Sequence, residues 1–247
     1  MGKIVAIGGG ENGHPGTKYE TETFDKEIMF LSGKSTPNFL FIGFGNPTPD
    51  DYFNIMKSIY DSNKFHCKMD HLSLDDAKAG VGNEKIQNAD IIYVGGGSTY
   101  KLMRRIHRYM LDVPLQLAFE QGKVLCGVSA GANCWCSYSN SIRPNSKFGE
   151  LMVVTGLGFL NVLFCPHSKR DPQRLGVLRN QMNRFRNLPA IAIDYAAIEV
   201  IDDKYRVLPL EDERYFAEKQ FWTKNSYNVR KMEKNKFFLL QELYALK

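Results

Sequence analysis

Short apolar runs recur along this chain, separated by stretches in which apolar residues return every three or four positions. Ile4 to Ile7 is the first run and predicts a strand; it ends in Gly8-Gly9-Gly10, and a polar loop from Glu11 to Lys18 leads to a helix around Thr23 to Ser32. Phe39 to Ile42 predicts a second strand. After the loop Gly45 to Pro49, Asp50 and Asp51 open a helix with Tyr52, Ile55, Met56 and Ile59 at helical spacing. Cys67 to Leu72 is a weaker strand, and Asp75 to Asn88 reads as a helix or a pair of turns broken at Gly80 and Gly82. Asp90 to Val94 predicts a strand running into Gly95-Gly96-Gly97-Ser98-Thr99, followed by helices over Tyr100 to Tyr109 and Pro114 to Glu120. The apolar run that opens the stretch Lys123 to Asn133 predicts the central strand. Beyond it the pattern is less regular, with short apolar pieces at Val153 to Leu157 and Val162 to Cys165, the second read as a strand running into Pro166-His167, then a helix over Arg174 to Phe185, a strand at Ala190 to Asp194, and a hairpin joining Ile198 to Ile201 with Tyr205 to Leu208. Asn228 to Leu243 stays open between a helix and a terminal strand. This rhythm predicts an α/β fold, a mainly parallel sheet with helices on both faces, in a single domain over residues 1–247.

The central strand ends at a corner of small residues, Gly127-Val128-Ser129-Ala130-Gly131. That is the pattern of a nucleophile elbow, in which a sharp strand-to-helix turn lifts a serine hydroxyl clear of the sheet. Glycines flank the corner because a β-carbon there would meet neighbouring backbone. A plain glycine-rich turn gives the same five letters, so the reading needs a base for Ser129. Of the five histidines, His14 falls in a Gly/Pro loop, His66 and His71 flank the weak strand, and His107 belongs to a basic helix face. His167 directly follows the strand Phe164-Cys165, where its imidazole would emerge at a sheet end, and it is the candidate general base. Asp194, at the end of the Ala190 strand, is the candidate orienting acid, with Glu199 and Glu150 as alternatives. Gly96 and Gly97 with Ala130 are candidate oxyanion donors through their backbone N–H groups. Arg170, Arg174, Asn133 and Glu11 are candidates for substrate recognition.

Composition narrows the classes. An apolar fraction of 43% and a charged fraction of 24% are those of a globular protein, and no stretch approaches the length of a membrane span. The net charge of +5 is mild and its basic residues are scattered, so no nucleic-acid partner is expected. Five cysteines without ligand spacing read as reduced thiols of a cytoplasmic protein; Cys134-Trp135-Cys136 reads as a helix packing behind the elbow. Neither glycine run continues into a nucleotide-binding signature, and neither metal nor cofactor is expected. The chain is expected to be a monomer or homodimer.

Four stretches taken together, GGGSTYKLM (Gly95 to Met103), GVSAGANCW (Gly127 to Trp135), FCPHSKRDPQR (Phe164 to Arg174) and AIDYAAI (Ala192 to Ile198), resemble the peptidase S51 family, which contains dipeptidase E and cyanophycinase. The resemblance implies a three-layer sandwich like that of class I glutamine amidotransferases, with Ser129 matching the nucleophile, His167 the base, and Gly96 or Gly97 with Ala130 the oxyanion donors. It also implies a serine-type peptidase acting on a small peptide through an acyl-enzyme. The family's acid is a glutamate just after the strand, where this sequence has Tyr195, so Asp194 is expected to substitute. A catalytically weakened binding protein and an amidase of the same fold are the alternative expectations.

Overall fold

Continuous apolar runs fold here into strands buried on both faces, and the alternation of side chains along each strand assigns them to two cores. The computed structural model describes residues 2–12, 17–210 and 213–247. In chain order the elements are β1 (Lys3–Ile7), α1 (Glu22–Ser32), β2 (Asn38–Ile42), α2 (Pro49–Tyr60), β3 (Lys68–His71), α3 (Leu74–Lys78), α4 (Gly82–Asn88), β4 (Ile91–Val94), α5 (Thr99–Arg108), α6 (Asp112–Glu120), β5 (Val124–Val128) and α7 (Ala130–Asn133). They continue as β6 (Cys136–Ile142), β7 (Leu151–Thr155), β8 (Leu160–Cys165), α8 (Gln173–Met182), β9 (Ala190–Asp194), β10 (Ala196–Ile201), β11 (Lys204–Pro209), β12 (Phe216–Trp222), β13 (Tyr227–Lys231), β14 (Phe238–Leu239) and α9 (Leu240–Tyr244).

An eight-stranded sheet runs in the order β14-β11-β10-β1-β5-β4-β2-β3. Its half from β1 to β3 is parallel, and β10, β11 and β14 extend it antiparallel beside β1. On one face Val5, Ile7, Phe39, Phe41, Ile91, Tyr93, Val124 and Cys126 pack with Phe24 and Ile28 of α1 and with Tyr52, Met56 and Tyr60 of α2. The alternate residues, Ile4, Ala6, Leu40, Ile42, Ile92, Val94 and Leu125, pack on the other face with Ile86 of α4, Leu102 and Ile106 of α5, and Leu115 and Ala118 of α6. Helices therefore cover both faces of the sheet, as the sequence pattern predicts. Among the described residues no helix is long and apolar enough to cross a membrane.

A second sheet, of six strands, is ordered β13-β12-β9-β8-β6-β7, with β6, β8 and β9 parallel to one another. The sequence pattern did not separate its strands from the first sheet. Helix α8 packs on it through Leu178 and Met182, against Leu163, Cys165, Ala190 and Ala192. The helix expected around Cys134-Trp135-Cys136 is absent: α7 is one turn long, and Cys136 already begins β6. Trp135 is instead fully buried, stacked on Phe159 with ring centroids 5.9 Å apart. The terminal segment left open between helix and strand supplies both, as β13, β14 and α9.

Candidate active site

Two pairs of parallel strands, β4 and β5 of the eight-stranded sheet and β8 and β9 of the six-stranded one, deliver the site from their carboxyl ends, the usual place for a ligand site in an open α/β sheet. β4 ends in Gly95 to Gly97, β5 in Ser129, β8 in Pro166-His167, and β9 in Asp194. Ser129 holds φ 56° and ψ −109°, a left-handed backbone that side chains rarely adopt. Its N–H donates to the Ile7 carbonyl at 3.0 Å and its carbonyl accepts from Asn133 N–H at 2.9 Å, so neighbours on both sides hold the strained corner. A β-carbon at Gly131 would collide with the Val94 carbonyl, and one at Gly127 would lie 2.6 Å from the same oxygen. Those glycines let β4, β5 and α7 cross closely enough to form the corner.

The two halves of the predicted dyad meet across the sheets. His167 Nε2 lies 2.7 Å from Ser129 Oγ. His167 also has positive φ, 60°, and its N–H donates to the Gly8 carbonyl at 2.9 Å, which ties the six-stranded sheet to the end of β1. The glycine loop after β4 abuts the serine: a β-carbon on Gly96 would sit 3.8 Å from Ser129 Cβ. Gly96 makes a backbone hydrogen bond to the Tyr52 hydroxyl, Gly97 is exposed with φ 134°, and Ala130 is buried at the first position of α7.

Asp194 is fully buried at the end of β9, and its partners are Arg170 and Tyr195, not His167. Its Oδ2 accepts from the Arg170 backbone N–H at 2.8 Å, its Oδ1 from the Tyr195 N–H at 3.1 Å, and the Arg170 Nε lies 3.3 Å from Oδ1. The contact on His167 Nδ1 comes from Arg170 Nη2, at 2.9 Å. Sequence reasoning placed Arg170 among substrate-binding residues and missed this contact. The signal was its spacing: Asp171 N–H bonds the His167 carbonyl at 2.9 Å, closing one helical turn that brings residue 170 back over residue 167. The other carboxylates considered lie elsewhere, Glu199 paired with Arg206 at 2.9 Å and Glu150 with Arg143 at 3.5 Å. Tyr195, at the position of the family glutamate, has Arg170 and Arg214 over its ring at 4.9 and 4.2 Å.

Burial, with the nearby positive charges of Arg170 and Arg174, lowers the His167 pKa to about 3, so the imidazole is neutral at physiological pH. His66, His71 and His107 are remote from this contact, His71 being stacked on Phe53 and His107 lying 3.7 Å from Asp112; His14 lies outside the described residues. The five cysteines are free and buried, and burial raises the thiols of Cys126 and Cys134 far above their ordinary value, which leaves neither as a thiolate.

A cavity of about 390 Å³ opens beside Ser129 and His167, lined by Gly97, Lys101, Asn133, Arg143, Arg174 and neighbouring residues. Asn133 is buried; its Nδ2 donates to Thr99 Oγ1 at 2.9 Å, while its Oδ1 has no partner among the described residues. Arg174 is buried too, held by Asp171 Oδ2 at 2.9 Å and by the Asn140 carbonyl at 3.3 Å. Arg170 is turned away from this cavity and engages Glu11 at 2.9 Å.

The sequence profile of peptidase family S51 matches residues 4–208. The chain belongs to peptidase family S51. Among similar proteins, the peptidase YgaJ of Bacillus subtilis (strain 168) is 30% identical over 207 residues, covering 83% of this chain and 85% of that protein. Peptidase E of Shewanella amazonensis is 36% identical over 86 residues, about a third of each chain (34% and 35%). Among solved structures, a peptidase from an acI-B1 Actinobacterium superposes with a TM-score of 0.69 at 17% identity, covering 97% of both chains. A putative Peptidase E from Listeria monocytogenes EGD-e gives 0.61 at 15% identity, over 85% of this chain and 100% of that one. These likenesses carry the fold, and the mixed sheets with helices on both faces are consistent with the class I glutamine amidotransferase-like arrangement that the S51 resemblance implies.

Proposed function

We propose that this S51 member is a serine peptidase that cleaves a small peptide through an acyl-enzyme on Ser129. The observation that supports it most is the 2.7 Å contact between Ser129 Oγ and His167 Nε2 on a strained elbow. In the reaction Ser129 Oγ attacks the scissile carbonyl while His167 Nε2 takes its proton. The negative charge gathers on the carbonyl oxygen, for which the Gly97 and Ala130 N–H groups are the proposed donors; the Gly96 backbone is already engaged by Tyr52. Collapse breaks the C–N bond, the leaving amine receives the proton from His167, and water then repeats the sequence to release the acid from Ser129. Asn133 Oδ1, buried in the cavity wall and unpartnered among the described residues, is suited to accept from a donor on the peptide.

One observation favours a second reading, a binding protein with little or no turnover. The charge on His167 Nδ1 is that of a guanidinium, not a carboxylate, and loss of the correct orienting acid costs other triads about 10⁴ in rate. A panel of dipeptides assayed with wild type and Ser129→Ala separates the two. Cleavage abolished by the substitution supports the peptidase; dipeptide binding by both proteins without cleavage by either supports the binding protein.

A further inference from the structure

Arg170 stands between the acid and the base. Its guanidinium reaches Asp194 through Nε at 3.3 Å, Glu11 through Nη1 at 2.9 Å and His167 Nδ1 through Nη2 at 2.9 Å, and its cation lies 4.9 Å from the Tyr195 ring centroid. A guanidinium only donates hydrogen bonds. Nδ1 must therefore offer a lone pair, and the single proton of a neutral imidazole must sit on Nε2. That N–H points at Ser129 Oγ, 2.7 Å away. An Nε2 that already carries a proton has no lone pair with which to take another.

We propose that Arg170 is a latch: it holds His167 in the tautomer unable to accept the Ser129 proton, and hydrolysis begins when the guanidinium leaves Nδ1. The proposal rests on the peptidase reading of Ser129 and His167 and adds its regulation. On release Nδ1 gains a proton from water as Nε2 gives one up, so the net charge of the ring does not change. Nε2 then faces the serine with its lone pair. Glu11 offers Nη2 a destination, because a turn of the guanidinium toward its other carboxylate oxygen makes a bidentate pair while Nε stays on Asp194. Arg170 acts through His167 and is a positioning residue.

Nitrogen-15 NMR of the histidine rings in the full-length wild-type chain at neutral pH tests the latch directly. The expected spectrum shows His167 with Nε2 protonated and Nδ1 bare; a protonated Nδ1 overturns the proposal, and this measurement needs no variant to fold. Arg170→Met removes every donor from Nδ1 at similar side-chain length. It is expected to move the proton to Nδ1 and to speed the labelling of Ser129 by a small serine-directed phosphonate by at least about tenfold, a fraction of what a wrong tautomer costs in other triads. A labelled Ser129 whose rate is unchanged or slower in Arg170→Met overturns the latch alone. Ser129 labelled in neither protein overturns the peptidase reading and the latch with it.

Discussion

Ser129 holds a backbone that favours glycine, φ 56° and ψ −109°, and its side chain keeps that strain in the fold. Ser129→Gly removes the Cβ penalty at the cost of some unfolded-state entropy, so it should stabilise the chain by about 1 kcal/mol while abolishing peptide cleavage. Urea midpoints of the two proteins check this; a destabilised glycine variant would show that the corner is not strained. His167 has an opposite kind of cost. Its pKa in the fold, lowered to about 3 by burial, Arg170 and Arg174, lies below the ordinary histidine value near 6.5, so between these limits the unfolded chain binds the extra proton. Stability is therefore lost as pH falls from about 6.5 toward 3, by on the order of 1–3 kcal/mol once screening at this partly exposed ring is allowed for. Asp25 works against it. Its carboxyl is fully buried, and that burial raises its pKa to about 6 against the opposing hydrogen bonds from Tyr60, Tyr19 and Thr21, so the fold holds that proton more tightly than the unfolded chain and gains stability as pH falls from about 6 to 3.8. The difference between wild type and His167→Gln in denaturant midpoint, followed from pH 7 to about 4, isolates the histidine contribution; equal acid sensitivity in the two proteins would exclude it.

At the scale of elements, the crossing of β4, β5 and α7 is the tightest joint. A β-carbon at Gly131 has the Val94 carbonyl in its place, so Gly131→Ala should cost about 3 kcal/mol and lower the thermal midpoint. Gly176 in α8 is the control: among the described residues nothing lies within 4 Å of its would-be β-carbon, and Gly176→Ala should stabilise by up to about 1 kcal/mol. Equal effects at the two sites would mean that the joint is not closely packed. The same joint was legible in the sequence because Phe39 to Ile42, Ile91 to Val94 and Val124 to Val128 are continuous apolar runs, as strands buried on both faces must be. In the six-stranded sheet β8 and β9 were legible for the same reason, but β6 was not, because it reads Cys-Ser-Tyr-Ser-Asn-Ser-Ile and hides its burial. Ser139 and Asn140 are fully buried, made tolerable by hydrogen bonds to the Val154 carbonyl and Gln181 Oε1, which no hydrophobic period reveals. The Cys134 to Cys136 segment misled for a related reason: an apolar triplet fits a helix or a buried strand start equally, and tertiary packing around Trp135 decides between them. Ser129 and His167 were readable because each ends a strand. The Arg170 contact was only half legible: the spacing from His167 allows one turn to bring the two together, but the pairing with Asp194 that fixes that turn is three-dimensional.

For the whole molecule, the dyad is split between its sheets: Ser129 ends a strand of the eight-stranded sheet and His167 a strand of the six-stranded one. Tyr195, with φ 49°, is the single residue between β9 and β10 at which the chain changes sheets, and Gly8 bonds both sides of the junction through Ala196 and His167. Beside this junction the cavity gathers Lys101, Arg143 and Arg174, with no carboxylate among its described lining residues, on a chain whose net charge is +5. A field of one sign in a concave site concentrates ligands of the other sign, and every free peptide carries a carboxylate. The field weakens as the screening length falls from about 10 Å at 0.1 M salt to about 3 Å at 1 M. KM for a dipeptide should therefore rise several-fold across that range. The turnover number should hold nearly steady, because serine and histidine are both neutral before attack and their 2.7 Å contact is too short for salt to screen. Arg143 is mostly exposed and pairs loosely with Glu150 at 3.5 Å, so Arg143→Gln can lower the positive field with little effect on the fold. It should raise KM at low salt and flatten its salt dependence, leaving the turnover number unchanged. A turnover number that falls with salt while KM stays constant would instead place the electrostatic work at the reacting atoms, and the cavity's charge would have no part in gathering substrate.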